Sequence, residues 1–524
     1  MNVGASVKKF FSNTNFLLFV NLFLLFCFFS QLEKINIGHF FNADSLYLPS
    51  VYRDLFVDKN SFEGWHLNPA PNFFPDMFFY CILMFLCGNN FIIASFLFSI
   101  IQYFVFLFIL KALFKIIVPD QSAKFHAIIF FIPTLCLLSV FYLHGKYIFA
   151  YFLLSNSYHT GSFIMALVSF ILTLSFFKEG YISRAVILFI IAFIAVFSDK
   201  LYIASFVAPA IFTSLFFIKK YTRVSLTVIS ISIVAPAISL WLFHKLSNSN
   251  YLWFDDVQVA EIKMENIAKS YHRMVELLKE FIFYFGYHTL TIYLFLISIF
   301  LLMFLLIKRW KNSAPVLKYS LIFIICQSVL VVIAPIVSGK FTGEDTFRYN
   351  LYPVYLGGFN LAIFLAITVP RKNFLKTGFK YAMFLSIISL FIGGIYKFEP
   401  KGLAHFFSFY PETARKLDAI AEKEGLLRGV GNYWYAKYVT MFSKKGVKVH
   451  AVFDDLVAYT HVANENWFFD QNHKFNFVLL NNFGDTSLYR KNVTNAKLMY
   501  NETDFMVVKT NIFVYEKSNY LPKN

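Results

Sequence analysis

The stretch "FFPDMFFYCILMFLCG", residues 73–88, decides how the remainder of the chain is arranged about a membrane. It is strongly apolar, but it is shorter than the ~20 residues that a helix needs to cross a bilayer. Longer apolar runs recur from the start of the chain to about residue 396. If 73–88 is counted as one more span, every later loop moves to the opposite side of the membrane.

The composition predicts a polytopic α-helical membrane protein. Of 524 residues, 58% are hydrophobic, 21% aromatic and only 15% charged. Apolar runs of this length and number do not fit a water-soluble core. The net charge of +17 does not imply nucleic acid, because cations in such proteins gather in cytoplasmic loops. We predict about eleven transmembrane helices, at 14–31, 91–114, 124–144, 161–177, 183–198, 200–218, 224–245, 287–307, 316–338, 349–369 and 376–396.

The distribution of charge favours an interfacial position for 73–88. With that segment outside the count and the N-terminus cytoplasmic, the short inner loops hold eighteen Lys and Arg and only two acids, Asp120 and Glu179. The outer loops then collect most of the acidic residues, as the positive-inside rule requires. The abundance of Phe, Ile, Asn and Lys is typical of a bacterial sequence from an AT-rich genome. We therefore expect a multi-pass protein of the bacterial inner membrane.

Two regions are expected on the outer side of this bundle. The first outer loop, 32–90, is long and aromatic, so in-plane helices are expected there, and another at 147–156. The loop 247–286 contains an amphipathic helix. The tail, 397–524, follows the transmembrane domain 1–396 and predicts a small periplasmic or extracellular α/β domain. In it, "PETARKLDAIAEKEGLL" predicts a helix, "VKVHAVF" and "NFVLLNN" predict strands, and "DFMVVKT" and "NIFVYEK" predict a hairpin that turns at Thr510–Asn511.

Polar residues on the outward-facing segments are the candidates for chemistry. Each has a structural alternative: a first-turn helix acid, a solvated face, a turn cap, a structural histidine or an interfacial anchor. For Asp44 we favour a functional role over a structural one, because placing a carboxylate so close to a bilayer costs free energy. We predict Asp44 as catalytic and the following as substrate-binding: Asp54, Asp76, His159, Asp199, Lys200, Arg348 and Tyr349.

A transferase that uses a lipid-phosphate sugar needs three features at the membrane surface. It needs a base to deprotonate the acceptor hydroxyl. It needs cations to hold the phosphate leaving group, for which Arg offers two parallel contacts. It also needs an apolar groove for the lipid tail. Asp44 could supply the first, Arg348 with Lys200 or Arg53 the second, and the Phe-rich helices the third.

The order of these segments resembles the GT-C superfamily of integral-membrane glycosyltransferases, which includes protein O-mannosyltransferases and the lipid A aminoarabinose transferase. A first span is followed by an outer loop with Asp44, then by the Pro-rich "HLNPAPNFFPDMFFYCILMFLCGNN". The hairpin "FSDKLY" and the span start "RYNLYPVY" (348–355) resemble further family motifs, with Arg348 and Tyr349 matching. The resemblance implies inverting transfer from a polyprenyl-phosphate sugar to a glycan, lipid or protein acceptor on the outer face.

The sequence also departs from this family. Ser45 stands where the family has Glu, and no DxD or ExD motif follows. We therefore expect no cofactor and no bound metal. Three other classes stay open: a flippase or transporter, an O-antigen or capsule polymerase, and a scaffold. A transporter is disfavoured because the ionisable groups gather at one face and no internal repeat is present.

Overall fold

In the computed structural model, the described residues are 14–35, 37–119, 125–142, 148–247, 253–254, 263–283, 287–350, 352–368, 385–386, 388–389, 391–453, 455–469, 475–481, 494–501 and 505–512. The protein is mainly helical, with two small β-sheets. The α-helices, π-turns and 3₁₀ turns are Thr14–Ile35, Ile37–Phe40, Tyr47–Tyr52, Arg53–Val57, Phe73–Met77, Phe78–Leu86, Phe91–Ile117, His126–Ile129, Phe131–Tyr142, Ile148–Leu154, Thr160–Glu179, Ile182–Ser198, Ile203–Val207, Ala208–Phe217, Thr222–Ser247, Met264–Phe283, Tyr287–Arg309, Pro315–Val337, Glu344–Tyr349, Tyr352–Leu356, Gly357–Thr368, Pro400–Phe407, Glu412–Glu424, Tyr433–Phe442 and Asn466–Phe469.

Long apolar helices confirm the predicted polytopic fold. Among the described residues, six helices are long and apolar enough to cross a membrane: Thr14–Leu32, Phe91–Ile117, Thr160–Glu179, Thr222–Ser247, Thr289–Arg309 and Pro315–Val337. Shorter apolar helices are Phe73–Leu86, Ile182–Ser198, Ile203–Phe217 and Tyr352–Thr368. Most of the predicted span 376–396 lies outside the described residues.

Two predicted spans are not continuous α-helices. The predicted helix 124–144 breaks at Phe130, since Pro133 lacks the N–H that would bond the carbonyl of residue 129. The predicted helix 349–369 begins as two 3₁₀ turns that include Pro353 and becomes α-helical only at Gly357. The two segments pack closely, because the backbone of Gly358 lies against the Ile128 carbonyl, where a side chain would clash.

The apolar segment 73–88 forms a short helix that turns back on the helix that follows it. Phe73–Met77 and Phe78–Leu86 make one bent helix, and a tight turn at residues 87–90 leads into Phe91–Ile117. The side chain of Asn90 caps that next helix by accepting from the backbone N–H groups of Ile92 and Ile93, at 3.1 and 3.2 Å. Its place in the membrane plane stays a prediction.

The expected amphipathic helix in loop 247–286 is present as Met264–Phe283. Ion pairs Lys269–Glu265 and Arg273–Glu276 lie on its exposed side. Met274 and Leu277 are buried in the main hydrophobic core. The helix therefore covers the bundle with one face, as its sequence pattern predicts.

The C-terminal region forms a mixed five-stranded sheet. Its strands are β3 (Arg428–Gly431), β4 (Lys448–Ala451), β6 (Phe475–Asn481), β7 (Thr494–Asn501) and β8 (Phe505–Ile512). Their order across the sheet is β4-β3-β6-β8-β7. Strands β4, β3 and β6 are parallel, and β8 is antiparallel to β6 and β7. The predicted hairpin at Thr510–Asn511 is wrong, because both residues lie within β8. The antiparallel neighbours of β8 are β6 and β7, and β7 was not predicted from the sequence.

A second sheet joins three distant parts of the chain. β1 (Trp65–Leu67) in the first outer loop pairs with β2 (Trp253–Phe254) and with β5 (Ala463–Asn464). This sheet fixes the C-terminal region against the first outer loop. The helix Pro400–Phe407 also packs along Thr14–Ile35, with ring centroids of Phe29 and Phe406 at 4.9 Å. The domain boundary at 396/397 stays a prediction.

Candidate active site

A cavity of about 1320 Å³ lies between one end of the helix bundle and the C-terminal region. Polar and charged residues from the two regions line it. They include six of the eight predicted site residues, namely Asp44, His159, Asp199, Lys200, Arg348 and Tyr349. The cavity also has an apolar wall, described below.

Asp44 reaches this cavity from a turn that the neighbouring residues hold in place. Asn42 accepts from the backbone N–H of Ser45 at 2.9 Å, and the buried Ser45 hydroxyl lies 2.8 Å from the hydroxyl of Tyr151. Ser45 thus belongs to a hydrogen-bond network inside the protein. The Asp44 side chain keeps 28% of its surface exposed and lines the cavity.

Two residues from distant parts of the chain contact the Asp44 carboxylate. The Tyr433 hydroxyl donates to Oδ1 at 2.7 Å, and Arg348 Nη1 lies 3.5 Å from Oδ2. Burial, and then the Asp44 carboxylate, raise the pKa of the Tyr433 hydroxyl, so it stays protonated and donates. Asp44 and Arg348 are therefore close enough to contact one bound substrate.

Aromatic rings orient the Arg348 guanidinium. Its central carbon lies 5.4 Å from the ring centroid of Tyr158 and 5.3 Å from that of Tyr349, within cation–π range. Nη2 is 3.4 Å from the Tyr349 hydroxyl, and the buried Nε has no hydrogen-bond partner among the described residues. A planar cation held in this way, with an unused donor, suits an oxyanion.

His159 and Asp199 form a second polar group on the same cavity. His159 Nδ1 is 2.7 Å from Asp199 Oδ2, and the backbone N–H of Leu201 donates to Asp199 Oδ1 at 2.9 Å. A carboxylate on Nδ1 fixes the imidazole tautomer and leaves Nε2 as the acceptor of the neutral ring. The His159 ring also packs on Tyr349 at 4.9 Å, which connects this pair to Arg348.

Asp76 lies behind this pair and is not part of the cavity lining. Its carboxylate is buried against Gly161, where it fills the space that a Cβ would occupy. Burial, and then the charge of Asp199, raise the pKa of Asp76 to about 7. Asp76 also lies in the first turn of its own bent helix, Phe73–Leu86, which is the position that the structural alternative for this acid describes.

Two lysines add positive charge to the cavity. Lys200 Nζ lies 4.2 Å from the ring centroid of Phe243. Lys340, which the sequence reading did not single out, lines the same cavity. Burial, and then the charge of Lys200, lower the pKa of Lys340. Two lysines that repel each other in this way are stabilised by an anion that binds between them.

An apolar wall extends from the charged part of the cavity along two helices. It is formed by residues of Pro315–Val337 and of the segment after Lys200, and Ile333 and Val337 are each 44% exposed. The wall comprises Leu201, Ile203, Ala204, Ala208, Leu330, Ile333, Ala334 and Val337. A groove of this kind fits a hydrocarbon chain whose charged head lies near Lys200 and Lys340.

Asp54, which was predicted to bind substrate, lies in a buried network away from this cavity. Its side chain accepts four hydrogen bonds, from Asn60, Trp65, Asn464 and Trp467, at 2.6–2.9 Å, and the residue is 2% exposed. A carboxylate with these partners is structural. It joins the first outer loop to the C-terminal region, together with the ion pair Lys448–Asp58 at 2.8 Å.

Tyr433 and Lys437, one turn apart on helix Tyr433–Phe442, were missed by the sequence reading. Lys437 is 8% exposed, lies 5.3 Å from the Tyr433 ring centroid, and its Nζ has no hydrogen-bond partner among the described residues. Burial lowers the pKa of Lys437 to about 7, and the Asp44 charge partly opposes this. Within the described part of the chain, no three His, Cys, Asp or Glu side chains cluster as metal ligands would.

Comparison with solved structures places this arrangement in a known fold. The crystal structure of ArnT from Cupriavidus metallidurans bound to undecaprenyl phosphate is similar over 95% of this chain and 98% of that chain, with a TM-score of 0.54 and 10% identity. The apo structure of the same ArnT gives a TM-score of 0.52 and 9% identity, over 89% and 93% of the two chains.

No family model matches the sequence, and no curated protein matches it significantly. ArnT is an aminoarabinose transferase with the GT-C architecture, so the fold predicted from the sequence motifs is confirmed. At this level of identity the likeness concerns the fold. The chemistry has to be argued from the cavity itself.

Proposed function

We propose that this GT-C-fold chain is an inverting glycosyltransferase that moves a sugar from a polyprenyl-phosphate donor to an envelope acceptor. One observation carries the proposal: a carboxylate, Asp44, lies 3.5 Å from Arg348 in a cavity that combines a cluster of cations with an apolar wall. A carboxylate, a cluster of cations and an apolar groove in one cavity are the groups that we assign as base, phosphate-binding site and lipid site. The ArnT structure with undecaprenyl phosphate supports the choice of donor lipid.

We position the donor in the cavity by matching its charged phosphate to the cations and its lipid to the apolar wall. We assign its phosphate to Arg348, Lys200 and Lys340, and its first isoprene units to the wall formed by Ile333 and Val337. His159 and Asp199 lie on the same cavity and are assigned to the sugar hydroxyls. Cations that hold the leaving phosphate stabilise the charge that develops on it during transfer.

The reaction is a single displacement. Asp44 accepts the proton of the acceptor hydroxyl while that oxygen attacks the anomeric carbon of the donor sugar. The bond between the anomeric carbon and the phosphate oxygen breaks, and both of its electrons leave with the lipid phosphate. Attack from the face opposite the leaving group inverts the anomeric configuration. The proton on Asp44 then passes to solvent.

We place the site on the outer face of the bacterial inner membrane. Helices such as Thr160–Glu179 begin near the cavity and end about 30 Å away, at 1.5 Å per residue. The last turns of helices at that far end carry Lys178 and Arg309, and the turn after Phe217 carries Lys219 and Lys220. Cationic loops prefer the cytoplasm, which supports an outer position for the cavity.

We also propose that no divalent metal takes part. Arg348, Lys200 and Lys340 line the cavity, and their positive charges can stabilise a phosphate as a metal would. Transfer is expected to continue at an unchanged rate in excess EDTA, and a rate that needs added Mg²⁺ or Mn²⁺ would contradict this part of the proposal.

The experiment uses the full chain in liposomes with radiolabelled polyprenyl-phosphate sugars and delipidated or lipid envelope fractions as acceptors. Asp44→Asn is expected to reduce transfer by roughly 10²–10⁴-fold while donor binding persists. Glu276→Gln, a change on an exposed helix face far in sequence from the site, serves as the control and keeps full activity.

The products separate this proposal from its alternatives. Single-sugar addition that depends on Asp44 supports it. A ladder of polymerised repeats would favour a polymerase, and movement of the lipid-linked sugar across the bilayer without transfer would favour a flippase. Full transfer by Asp44→Asn would remove Asp44 as the base.

A further inference from the structure

The C-terminal region supplies a wall of the cavity made mainly of aromatic side chains. The wall comes from the start of helix Tyr433–Phe442 and from the loop that follows β4. Trp434 is 55% exposed and Phe453 is 44% exposed, although both belong to a folded domain. Large aromatic side chains that line an open cavity rather than a core are typical of ligand sites. We call this wall the aromatic platform: Tyr433, Trp434, Phe453, Tyr459 and His461.

The rings of the aromatic platform form one continuous surface. The ring of Tyr433 contacts three neighbours, with centroids at 5.1 Å for Trp434, 5.2 Å for Tyr459 and 5.7 Å for His461. Phe453 extends the surface, with its ring 4.8 Å from that of Tyr459. The ring planes are tilted by 46–72° to one another, so ring faces and ring edges alternate along the platform.

The platform begins at the proposed base. The Tyr433 hydroxyl donates to Asp44 at 2.7 Å, so a group lying on the platform is next to the carboxylate that would accept its proton. The apolar wall assigned to the donor lipid belongs to the helices, and the platform belongs to the C-terminal region. The two substrates would therefore approach Asp44 from different domains.

A polar group lies at one edge of the platform. Asn432 Oδ1 accepts from the backbone N–H groups of Trp434 and Tyr435, at 3.0 and 3.2 Å, and so caps the helix. This cap fixes the amide orientation, occupies Oδ1, and belongs to a residue that lines the cavity. His461 provides a second polar edge next to Tyr433.

We propose that the aromatic platform is the acceptor subsite and that it takes a pyranose ring, so that the acceptor is a carbohydrate. This inference rests on the proposed function. A pyranose presents C–H groups on its faces and hydroxyls around its edge. The faces match the rings of Trp434 and Tyr459, and the hydroxyls match Asn432 and His461. A hydroxyl of the bound sugar then lies beside Asp44.

Binding is tested on the full chain in nanodiscs, using maltotriose, cellotriose and chitotriose as probes. At least one trisaccharide is expected to change the tryptophan emission saturably. Trp434→Ala and Phe453→Ala are expected to weaken that binding ~10-fold or more, measured by calorimetry, and Trp434→Phe to restore most of it. Trp241→Phe removes another exposed Trp, in helix Thr222–Ser247, and is expected to leave binding unchanged.

The transfer assay gives a second readout. Trp434→Ala is expected to raise the KM for the acceptor while the KM for the donor stays the same. Absence of saturable binding by all three trisaccharides, or equal binding by wild type and Trp434→Ala, would overturn the proposal. A Trp434-dependent response to a Ser-containing tripeptide alone would also overturn it and assign the platform to a protein acceptor.

Failure of this inference is distinguishable from failure of the proposed function. Asp44→Asn is expected to bind trisaccharides although its rate of transfer is strongly reduced. Transfer activity without Trp434-dependent binding leaves the glycosyltransferase proposal in place and removes the subsite. Trp434-dependent binding without transfer keeps the carbohydrate subsite and removes the glycosyltransferase proposal.

Discussion

At the scale of single residues, Asp54 was predicted to bind substrate, but its contacts indicate a contribution to stability. We expect that contribution to be larger than that of Asp58. Asp54→Ala removes the shared acceptor of the Trp65 and Trp467 indole N–H groups and of two amides, and it leaves the fully buried Trp65 N–H without its acceptor. We therefore expect a loss of roughly 3 kcal/mol or more in the free energy of unfolding. Asp58→Ala removes a partly exposed ion pair with Lys448 and is expected to cost about 1 kcal/mol or less. Denaturant unfolding in detergent measures both, and equal losses would contradict the assignment.

Lys437 gives the protein a pH dependence of known sign. Its pKa is about 7 in the folded chain and near the ordinary 10.5 when unfolded, so between these values the unfolded chain binds the extra proton. Stability is therefore lowest below pH 7 and rises as the pH increases toward 10.5. In Lys437→Met the increase in melting temperature between pH 6.5 and 9.5 should be smaller than in wild type.

The exposed Lys423 provides the matched control for this measurement. Lys423→Met is expected to keep the wild-type dependence of melting temperature on pH. If Lys437→Met also kept it, Lys437 would not be the titrating group.

The residues of the site differ in how far the sequence could predict them. Asp44 and Arg348 are polar residues at the ends of apolar segments, so topology alone places them on one face. The partners of Asp54 and Asp44 on the C-terminal region are separated from them by 389–413 residues, and no local pattern marks such contacts. Tyr433 and Lys437 therefore look like ordinary helix residues in the sequence.

At the scale of secondary-structure elements, the contact between helices Thr14–Ile35 and Pro400–Phe407 depends on a glycine. A Cβ on Gly402 would meet the backbone carbonyl of Ser30, which cannot rotate away. Gly402→Ala should push the helices apart and cost about 1–3 kcal/mol, seen as a lower melting temperature in detergent. The exposed Lys401→Ala in the same helix is the control, and equal melting temperatures for the two variants would contradict this contact.

Apolar periodicity predicted most of the helices, and it failed where local chemistry competes with it. Proline interrupts the predicted helices at residues 133 and 353 without changing their hydrophobicity. The predicted hairpin within β8 failed for a related reason. The polar residues Thr510 and Asn511 suggest a turn, but pairing with β7 and β6 keeps the strand extended.

At the scale of the whole molecule, the proposed orientation in the membrane can be tested at the two ends of the bundle. A membrane-impermeant maleimide added to intact spheroplasts is expected to label Lys423→Cys, on the C-terminal region, and to leave Lys311→Cys unlabelled. Both positions are exposed in the structure, so access depends on the side of the membrane. Lysis should make Lys311→Cys reactive, and labelling of Lys311→Cys before lysis would reverse the proposed topology.

The Asp54 network has a consequence for how the protein is made. Two of its donors lie 6 and 11 residues away along the chain, and the other two lie 410 and 413 residues away. At about 5–20 residues per second, the ribosome needs roughly 20–80 s to make that intervening length. Until then the first outer loop lacks its partners on the C-terminal region, and Tyr433 is not yet present to contact Asp44. The Asp54 carboxylate therefore has only two of its four donors until almost the whole chain has been made.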